Sequence, residues 1–509
     1  MQLPRASGVL LHPTSLPSPY GIGELGEGAR QFVDFLVATG QQFWQVLPLG
    51  PTAYGNSPYM CYSAIAGNHL LISLDMLQAD GLLNPESLTP LRHLPSDRVD
   101  YDSAIAAKLP LLRQAYEQFV AHGDPLRQAS FEEFCTIQSY WLKDYALFMA
   151  LKVEEHDQPW YKWPIDLAQR KPEAIAAAEN RLKTEIQFQQ FLQFEFFRQW
   201  QDLKTYANKH RIQIIGDIPI YVAHDSADVW ANSENFQLDP TGQPAQMAGV
   251  PPDYFSETGQ LWGNPVYDWD YLQKTNFAWW IQRFEGLLNH VDWIRIDHFR
   301  GFEAYWSVPG GETTAMNGEW VLAPGMEFFT ELDRRLGKLP ILAEDLGVIT
   351  PEVEALRDRF EFPGMKVLHF AFGSDPGNPF LPFNYPRNCV VYTGTHDNNT
   401  TIGWWEQIGD WERQNAMTHF GAVSHDGIHW DLIRQAMGSI ANLSIVPLQD
   451  ILGLGSDCRM NMPGVATGFW TWRYHADQLH EGIQDQLRTL TDRTGRAPHP
   501  SPEPQETNE

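Results

Sequence analysis

Three acids could do chemistry together. Asp297 sits in Asp-Trp-Ile-Arg-Ile-Asp-His-Phe-Arg-Gly, Glu344 in Leu-Pro-Ile-Leu-Ala-Glu-Asp-Leu-Gly, and Asp397 in Val-Val-Tyr-Thr-Gly-Thr-His-Asp-Asn-Asn-Thr. Each closes a short apolar run that reads as a strand and opens a polar turn. Burying an unpaired carboxylate in a core strand is expensive, so acids at strand ends make sense if they converge on one pocket. Two converging carboxyls with a third nearby are the equipment for breaking a glycosidic bond.

The neighbours of each acid suggest its part. Residues two apart on a strand share a face, so Arg295 points the same way as Asp297. A guanidinium there would hold the carboxylate ionised and aimed, as a glycosyl nucleophile requires; a purely structural ion pair is the alternative. Glu344 follows an apolar stretch, which would raise its pKa and suit it to protonate a leaving oxygen. It could also be a surface turn or a helix cap. Asp345 competes for the acid's part, although alternation aims it the other way. The His396–Asp397 pair could be a metal site or a base with its orienter, but no third ligand lies nearby in sequence. The alternative is recognition of sugar hydroxyls by carboxylate and imidazole. Asp217, in Ile-Ile-Gly-Asp-Ile-Pro-Ile-Tyr, either orients the arginine of the next strand or is a buried acid satisfied by backbone donors.

Eight near-continuous apolar runs predict the elements that would hold these acids: 8–16, 43–49, 212–222, 293–299, 340–346, 366–372, 389–395 and 444–452. Parallel strands covered on both faces read this way. Helical patterns lie between several of them, at 28–38, 279–288, 326–336 and 351–359, the last opening with a Thr350 cap and Pro351. Eight such alternations predict an α/β fold, a (β/α)8 TIM barrel, in which strand ends share one rim. An open doubly wound sheet is the alternative. The expectation is one catalytic barrel domain over 1–491 with inserted helical and loop subdomains. The stretch at about 67–205 is rich in helix formers, notably 104–120 and 174–207. The stretch at about 224–275 is loop-like and aromatic, including Tyr254, Phe255, Trp262, Tyr267 and Trp269. A short insertion spans 302–325. The Pro/Glu/Thr-rich tail, 492–509, is expected to be disordered.

Composition narrows the function. The 509 residues carry 63 acidic and 36 basic side chains, a formal charge of −27, which argues against nucleic acid or an anionic membrane as partner. The four cysteines show no zinc spacing, and no apolar run approaches a membrane span. The expectation is a soluble cytoplasmic protein with no cofactor and no metal. The Gly21-x-Gly23-x-x-Gly26 match to a dinucleotide loop is weak, because it lies past its strand and Glu24 would repel a pyrophosphate. Aromatic residues make up 13% of the chain, 19 of them tryptophan. Their faces could stack on the apolar faces of sugars, though core packing accounts for many of them.

From about Gly8 to Arg473 the chain resembles the amylomaltases, or 4-α-glucanotransferases, of the α-amylase superfamily. The resemblance is carried, in order, by His12-Pro-Thr-Ser-Leu-Pro-Ser-Pro-Tyr-Gly-Ile-Gly, Trp44-Gln-Val-Leu-Pro-Leu-Gly-Pro-Thr, Ser57-Pro-Tyr, Gly216-Asp-Ile-Pro-Ile-Tyr-Val, Arg295-Ile-Asp-His-Phe-Arg-Gly, Ala343-Glu-Asp-Leu-Gly, Thr395-His-Asp-Asn and Asn461-Met-Pro-Gly. It implies that Asp297 is a nucleophile forming a covalent glucosyl-enzyme, Glu344 the acid/base and Asp397 the transition-state stabiliser. Arg295, His298 and His396 would surround the donor sugar, Asp217 would be the strand-three acid, and Ser57 and Tyr59 would line the donor side. Asn461 belongs to a matching motif and is a further candidate for substrate binding. The loop from Pro252 and Asp253 to Trp262 would arch over the cleft, and Tyr54 and Tyr101 would form a second glucan groove. The implied partners are malto-oligosaccharides, amylose and glycogen-type α-glucans. A hydrolase on the same barrel and a non-catalytic glucan-binding protein are the alternatives. Two departures stand out. Many members carry an acid directly after Ala-Phe on strand six, where this chain has Gly373, and Asn399 stands where Asp is common.

Overall fold

A computed structural model describes residues 3–252 and 256–498, without the side chain of Tyr54. Eight strands build its centre: β1 (Ala6–Leu10), β2 (Phe43–Gln45), β3 (Gln213–Pro219), β4 (Trp293–Asp297), β5 (Ile341–Ala343), β6 (Gly364–Val367), β7 (Cys389–Tyr392) and β8 (Leu443–Pro447). They form one sheet in the order β6-β7-β8-β1-β2-β3-β4-β5, and every neighbouring pair is parallel. The ends meet: Ala343 N–H donates to Pro363 O at 2.9 Å, and the Asp345 carboxylate accepts from Met365 N–H at 2.6 Å. With its edges joined and helices around it, the sheet is a (β/α)8 barrel, and the open-sheet alternative falls.

Each predicted apolar run overlaps one barrel strand, but three begin after their strand does and the runs overshoot at their C-terminal ends. The run 8–16, for instance, stops pairing at Leu10 and continues through a buried 3₁₀ turn, Pro13–Ser15. The run 366–372 likewise passes into the turn Leu368–Phe370. Apolarity reports burial, and the top of the barrel is buried beyond the last ladder hydrogen bond.

The helical stretch folds mainly as Tyr101–His122, Pro125–Ile137, Ser139–Glu154, Pro172–Arg181 and Lys183–Lys209. An aromatic cluster binds these helices together, with Phe119 and Phe191 rings 5.1 Å apart and Phe131 edge-on to Phe194 at 5.6 Å.

Two expectations need correction. The 224–275 stretch is more than loop: Gln246–Val250 and Gln260–Pro265 are strands. They join Ala304–Pro309 and Glu319–Leu322 in a four-stranded antiparallel sheet. The two pair with each other, the second neighbour of Gln246–Val250 comes from another insertion, and Gly and Pro dilute the alternation that would have marked them as strands. The first part of the tail, residues 492–498, is also ordered, while 499–509 lie outside the described residues. A helix runs Glu481–Arg493, and the buried Arg496 guanidinium donates to Ala6 O and Met437 O, both at 2.7 Å.

The Gly21–Gly26 turn is a packing device. A Cβ on Gly23 would stand 1.9 Å from Pro13 O. Glu24 turns inward to a buried ion pair with Lys108, and Gly26 caps the helix Glu27–Ala38. Among the described residues, no helix is long and apolar enough to cross a membrane.

Candidate active site

The strand ends gather the three acids. On β4 the alternation works as expected. Arg295, 4% exposed at its side chain, reaches back to Asp217 on β3 (Nη1 to Oδ2, 2.6 Å) and forward to Asp297 (Nη2 to Oδ1, 3.0 Å). Asp217 Oδ2 also accepts from the Tyr59 hydroxyl at 2.7 Å. Of the two readings of Asp217, the arginine-orienting one therefore holds. The guanidinium is pinned from behind by a fully buried carboxylate, so its other nitrogen is aimed at Asp297, whose side chain stays 28% exposed to the cleft. Burial pushes Asp217 up to about 7, against the pull of Arg295.

Glu344 stands one step past β5. Ile296 pairs with Ala343 in the β4–β5 ladder, and Glu344 N–H donates to Ile296 O at 3.0 Å. Asp297 and Glu344 are thus matching positions on adjacent parallel strands, which run about 4.8 Å apart. Two peptide groups hold the Glu344 carboxyl: His298 N–H donates to Oε2 at 2.7 Å and Leu346 N–H to Oε1 at 2.8 Å. His298 adopts a left-handed backbone (φ 53°, ψ 50°), uncommon for a residue with a side chain. Burial pushes Glu344 up to about 8, aided by the Asp297 charge and opposed by Arg295 and the two N–H bonds. Asp345 is out of contention: it faces away, paired with Arg357 and Met365 N–H.

Asp397 follows β7. Its Oδ1 accepts from Asn461 Nδ2 at 2.6 Å and lies 3.4 Å from His396 Nε2, while the side chain is 43% exposed. Arg459 donates to Asp397 O at 2.5 Å and also to Asn461 O, tying the turn after β7 to the loop after β8. The His396 ring stacks on Tyr59 (5.0 Å, 13°), with Trp470 tilted against both at about 6 Å. Burial lowers the His396 pKa and holds those of His298 and His12 down at about 3, so these imidazoles are neutral hydrogen-bonding groups at neutral pH. No group of three or more His, Cys, Asp or Glu able to hold a metal occurs among the described residues.

The remaining predicted residues divide. Trp262, on the strand Gln260–Pro265, sets its ring edge-on to His298 (4.9 Å, 86°), which places the inserted sheet over the acids. Ser57 shapes the turn that presents Tyr59, its Oγ accepting from Tyr59 N–H at 3.3 Å. Pro252 is exposed at the near end of its loop, whereas Asp253 and the side chain of Tyr54 lie outside the described residues. Tyr101 is a correction. It is 6% exposed, with its hydroxyl donating to Trp470 O at 3.0 Å, and so offers no face to a sugar. It braces Trp470 instead. Sequence reasoning missed Trp470 and Arg459. The only signal was their closeness to the Asn461 motif, and neither lies on a barrel strand.

Both departures have local explanations. The Glu412 carboxyl lies 3.8 Å from where a Cβ on Gly373 would stand, so the nearest side chain to this position is itself an acid. Asn399 Nδ2 donates to Ser456 Oγ at 2.9 Å, a further tie between the β7 and β8 loops.

Comparison with known proteins places the chain in a family. Residues 11–479 match the family model described as 4-alpha-glucanotransferase. The chain is 61% identical to a 4-alpha-glucanotransferase of Synechocystis sp., covering 97% of this chain and 98% of that one. It is 49% identical to that of Thermus thermophilus, over 97% and 100%. A solved amylomaltase from Streptococcus agalactiae, in complex with acarbose, superposes with a TM-score of 0.94 at 39% identity, over 97% of this chain and 100% of that one. By a family match spanning most of its length and by relatives that align from end to end, this chain belongs to the 4-alpha-glucanotransferase family, the amylomaltases.

Proposed function

We propose that this family member moves α-1,4-glucan segments from a donor malto-oligosaccharide, amylose or glycogen-type glucan to the 4-hydroxyl of another glucan or glucose. The reaction is a retaining double displacement. Asp297 attacks the anomeric carbon as Glu344 gives its proton to the departing glycosidic oxygen, leaving a covalent glucosyl-enzyme. Glu344, now ionised, takes the proton of an acceptor hydroxyl, which displaces Asp297 and restores the original configuration. Asp397, with Oδ1 committed to Asn461, turns its other oxygen to the sugar hydroxyls and tightens on them as the ring flattens. The observation that carries this reading is the division of labour on β4 and β5: Asp297 beside a pinned guanidinium, and Glu344 held by two peptide N–H groups in a buried setting that keeps it protonated.

Transfer requires that water lose to a sugar. The sheet that brings Trp262 over His298 supplies an aromatic wall beside the intermediate, and such a wall both stacks on an acceptor and excludes solvent. The relatives named above carry the transferase name, which favours transfer over the hydrolase and the non-catalytic alternatives. A cytoplasmic location is part of the proposal, supported by four cysteines that are all unpaired.

Maltotriose as sole substrate tests the reading. Glucose with a ladder of longer oligosaccharides and an almost constant number of reducing ends is the expected outcome. A steady climb in reducing ends without longer products would make the enzyme a hydrolase.

A further inference from the structure

The turn that carries the nucleophile and the turn that carries the acid/base are joined by one side chain, Arg300. It belongs to the buried 3₁₀ turn Phe299–Phe302, which follows Asp297 and His298 directly. Its Nη1 donates to Val348 O at 2.5 Å, and its Nε reaches Ala304 O at 3.4 Å. Val348 lies two residues beyond Leu346, which supplies one of the peptide N–H groups on Glu344; His298, two residues before Arg300, supplies the other. A third bond, Phe299 N–H to Glu344 O at 3.0 Å, completes the frame.

The tip of the acid/base turn is open, between Leu346 and Ile349, which pack against the core. Val348 is exposed, and a Cβ on Gly347 would meet nothing within 4 Å. Arg300, by contrast, is buried and roofed: its guanidinium lies 3.7 Å from the centre of the Trp320 ring, with Trp306 packed edge-on behind at 5.3 Å. Trp320 belongs to the edge strand Glu319–Leu322 of the inserted sheet, the sheet that also carries Trp262. A planar guanidinium can bond a carbonyl in its plane and stack an aromatic on its face at once, which an ammonium cannot do equally well.

We propose that Arg300 is a positioning residue for the transfer reaction: by tying the turn after β4 to the turn after β5 under the Trp320 roof, it sets the two peptide N–H groups that hold the Glu344 carboxyl in line with the glycosidic oxygen. The inference rests on the assignment of Glu344 as the acid/base. Proton transfer demands hydrogen-bond reach, so a carboxyl allowed to wander loses rate without losing the sugar-binding groups.

The test compares two donors in the same variants. Maltotriose needs a proton on its leaving oxygen, whereas α-maltosyl fluoride expels fluoride without one. Arg300→Met keeps bulk under Trp320 and removes every donor. With maltotriose its kcat should drop by about 10²-fold, the cost of a misplacement near 1 Å, with KM little changed. With the fluoride donor, first-turnover fluoride release should stay near the wild-type rate. Arg300→Lys, retaining charge and one possible bond, should fall between. Because the donor ratio is read within each variant, loss of folded enzyme does not imitate it, and if R300M is not recovered folded, R300K decides. Equal losses on both donors, or a wild-type ratio, overturn the inference. Glu344→Gln is the control: if the fluoride donor does not rescue its first turnover, the acid/base assignment itself is wrong, whereas rescue of E344Q without rescue of the Arg300 variants sinks only the role of Arg300.

Discussion

Replacing Asp297 with asparagine should remove transfer almost completely, by about 10⁴-fold or more in kcat, the scale seen when a covalent nucleophile is lost. The change is nearly isosteric. Arg295 remains anchored on Asp217 at 2.6 Å, so the guanidinium is not released into the cleft, and the Tyr59–His396 stack is untouched. Sugar binding should therefore survive, read as quenching of the tryptophan fluorescence of Trp262 and Trp470 by a malto-oligosaccharide. Mass spectrometry gives a second readout: a slow-turnover glycosyl fluoride should leave a covalent adduct on the wild-type enzyme and none on D297N. More than about 1% residual turnover, or an adduct on another residue, would move the nucleophile elsewhere. The substitution should also reach Glu344. The Asp297 charge helps keep the proton on that carboxyl, so D297N should lower the Glu344 pKa.

Glu344→Gln should cost roughly 10²–10⁴-fold with an oligosaccharide donor, the usual share of general acid–base catalysis. Its pH behaviour makes the prediction sharper. The wild-type first step needs Glu344 protonated, so turnover should fall as pH rises through about 8. Stability should move in the same direction. In the unfolded chain the carboxyl titrates near 4.5, and in the folded protein near 8. Between these values the folded state holds a proton that the unfolded state has lost, so this group's contribution is complete below about 4.5 and is gone above about 8. Glutamine does not titrate. The melting temperature of E344Q should therefore gain on that of the wild type across this window, with the gain levelling off above it. A difference that shrinks with rising pH would mean that Glu344 is ionised in the resting enzyme, and the acid assignment would fail. A variant that gains stability while losing activity is the expected mark of a carboxyl buried for its chemistry.

Much of this was legible in the chain. Parallel barrel strands are covered on both faces, so each left an uninterrupted apolar run, and all eight could be found without a partner in view. Period-two alternation on β4 put Arg295 and Asp297 on one face, and the structure has the Arg295 guanidinium paired with Asp297. What stayed illegible was whatever depended on a distant segment. The 224–275 stretch read as loop because Gly and Pro dilute its alternation, and its strand 246–250, besides pairing with 260–265, needs residues 304–309, beyond β4 in the chain, as its second neighbour. The tail read as disordered from Asp492 because its composition is polar, yet Arg496 finds the Ala6 carbonyl at the far end of the chain, on β1. Tyr101 read as a sugar platform because an aromatic in a motif does not announce whether its face is open, and here Trp470 O takes its hydroxyl.

The sequence by itself determined the barrel, the rim and the three acids upon it, because strand periodicity and burial are local properties of short segments. Only the tertiary structure set the surroundings of each acid. Glu344 and Asp345 are chemically near-equals in the chain. One meets the N–H groups of His298 and Leu346 in a dry setting, and the other meets Arg357. Proton affinity is set by the field and the solvent that the assembled neighbours impose, and those neighbours come from strands and turns far apart in sequence.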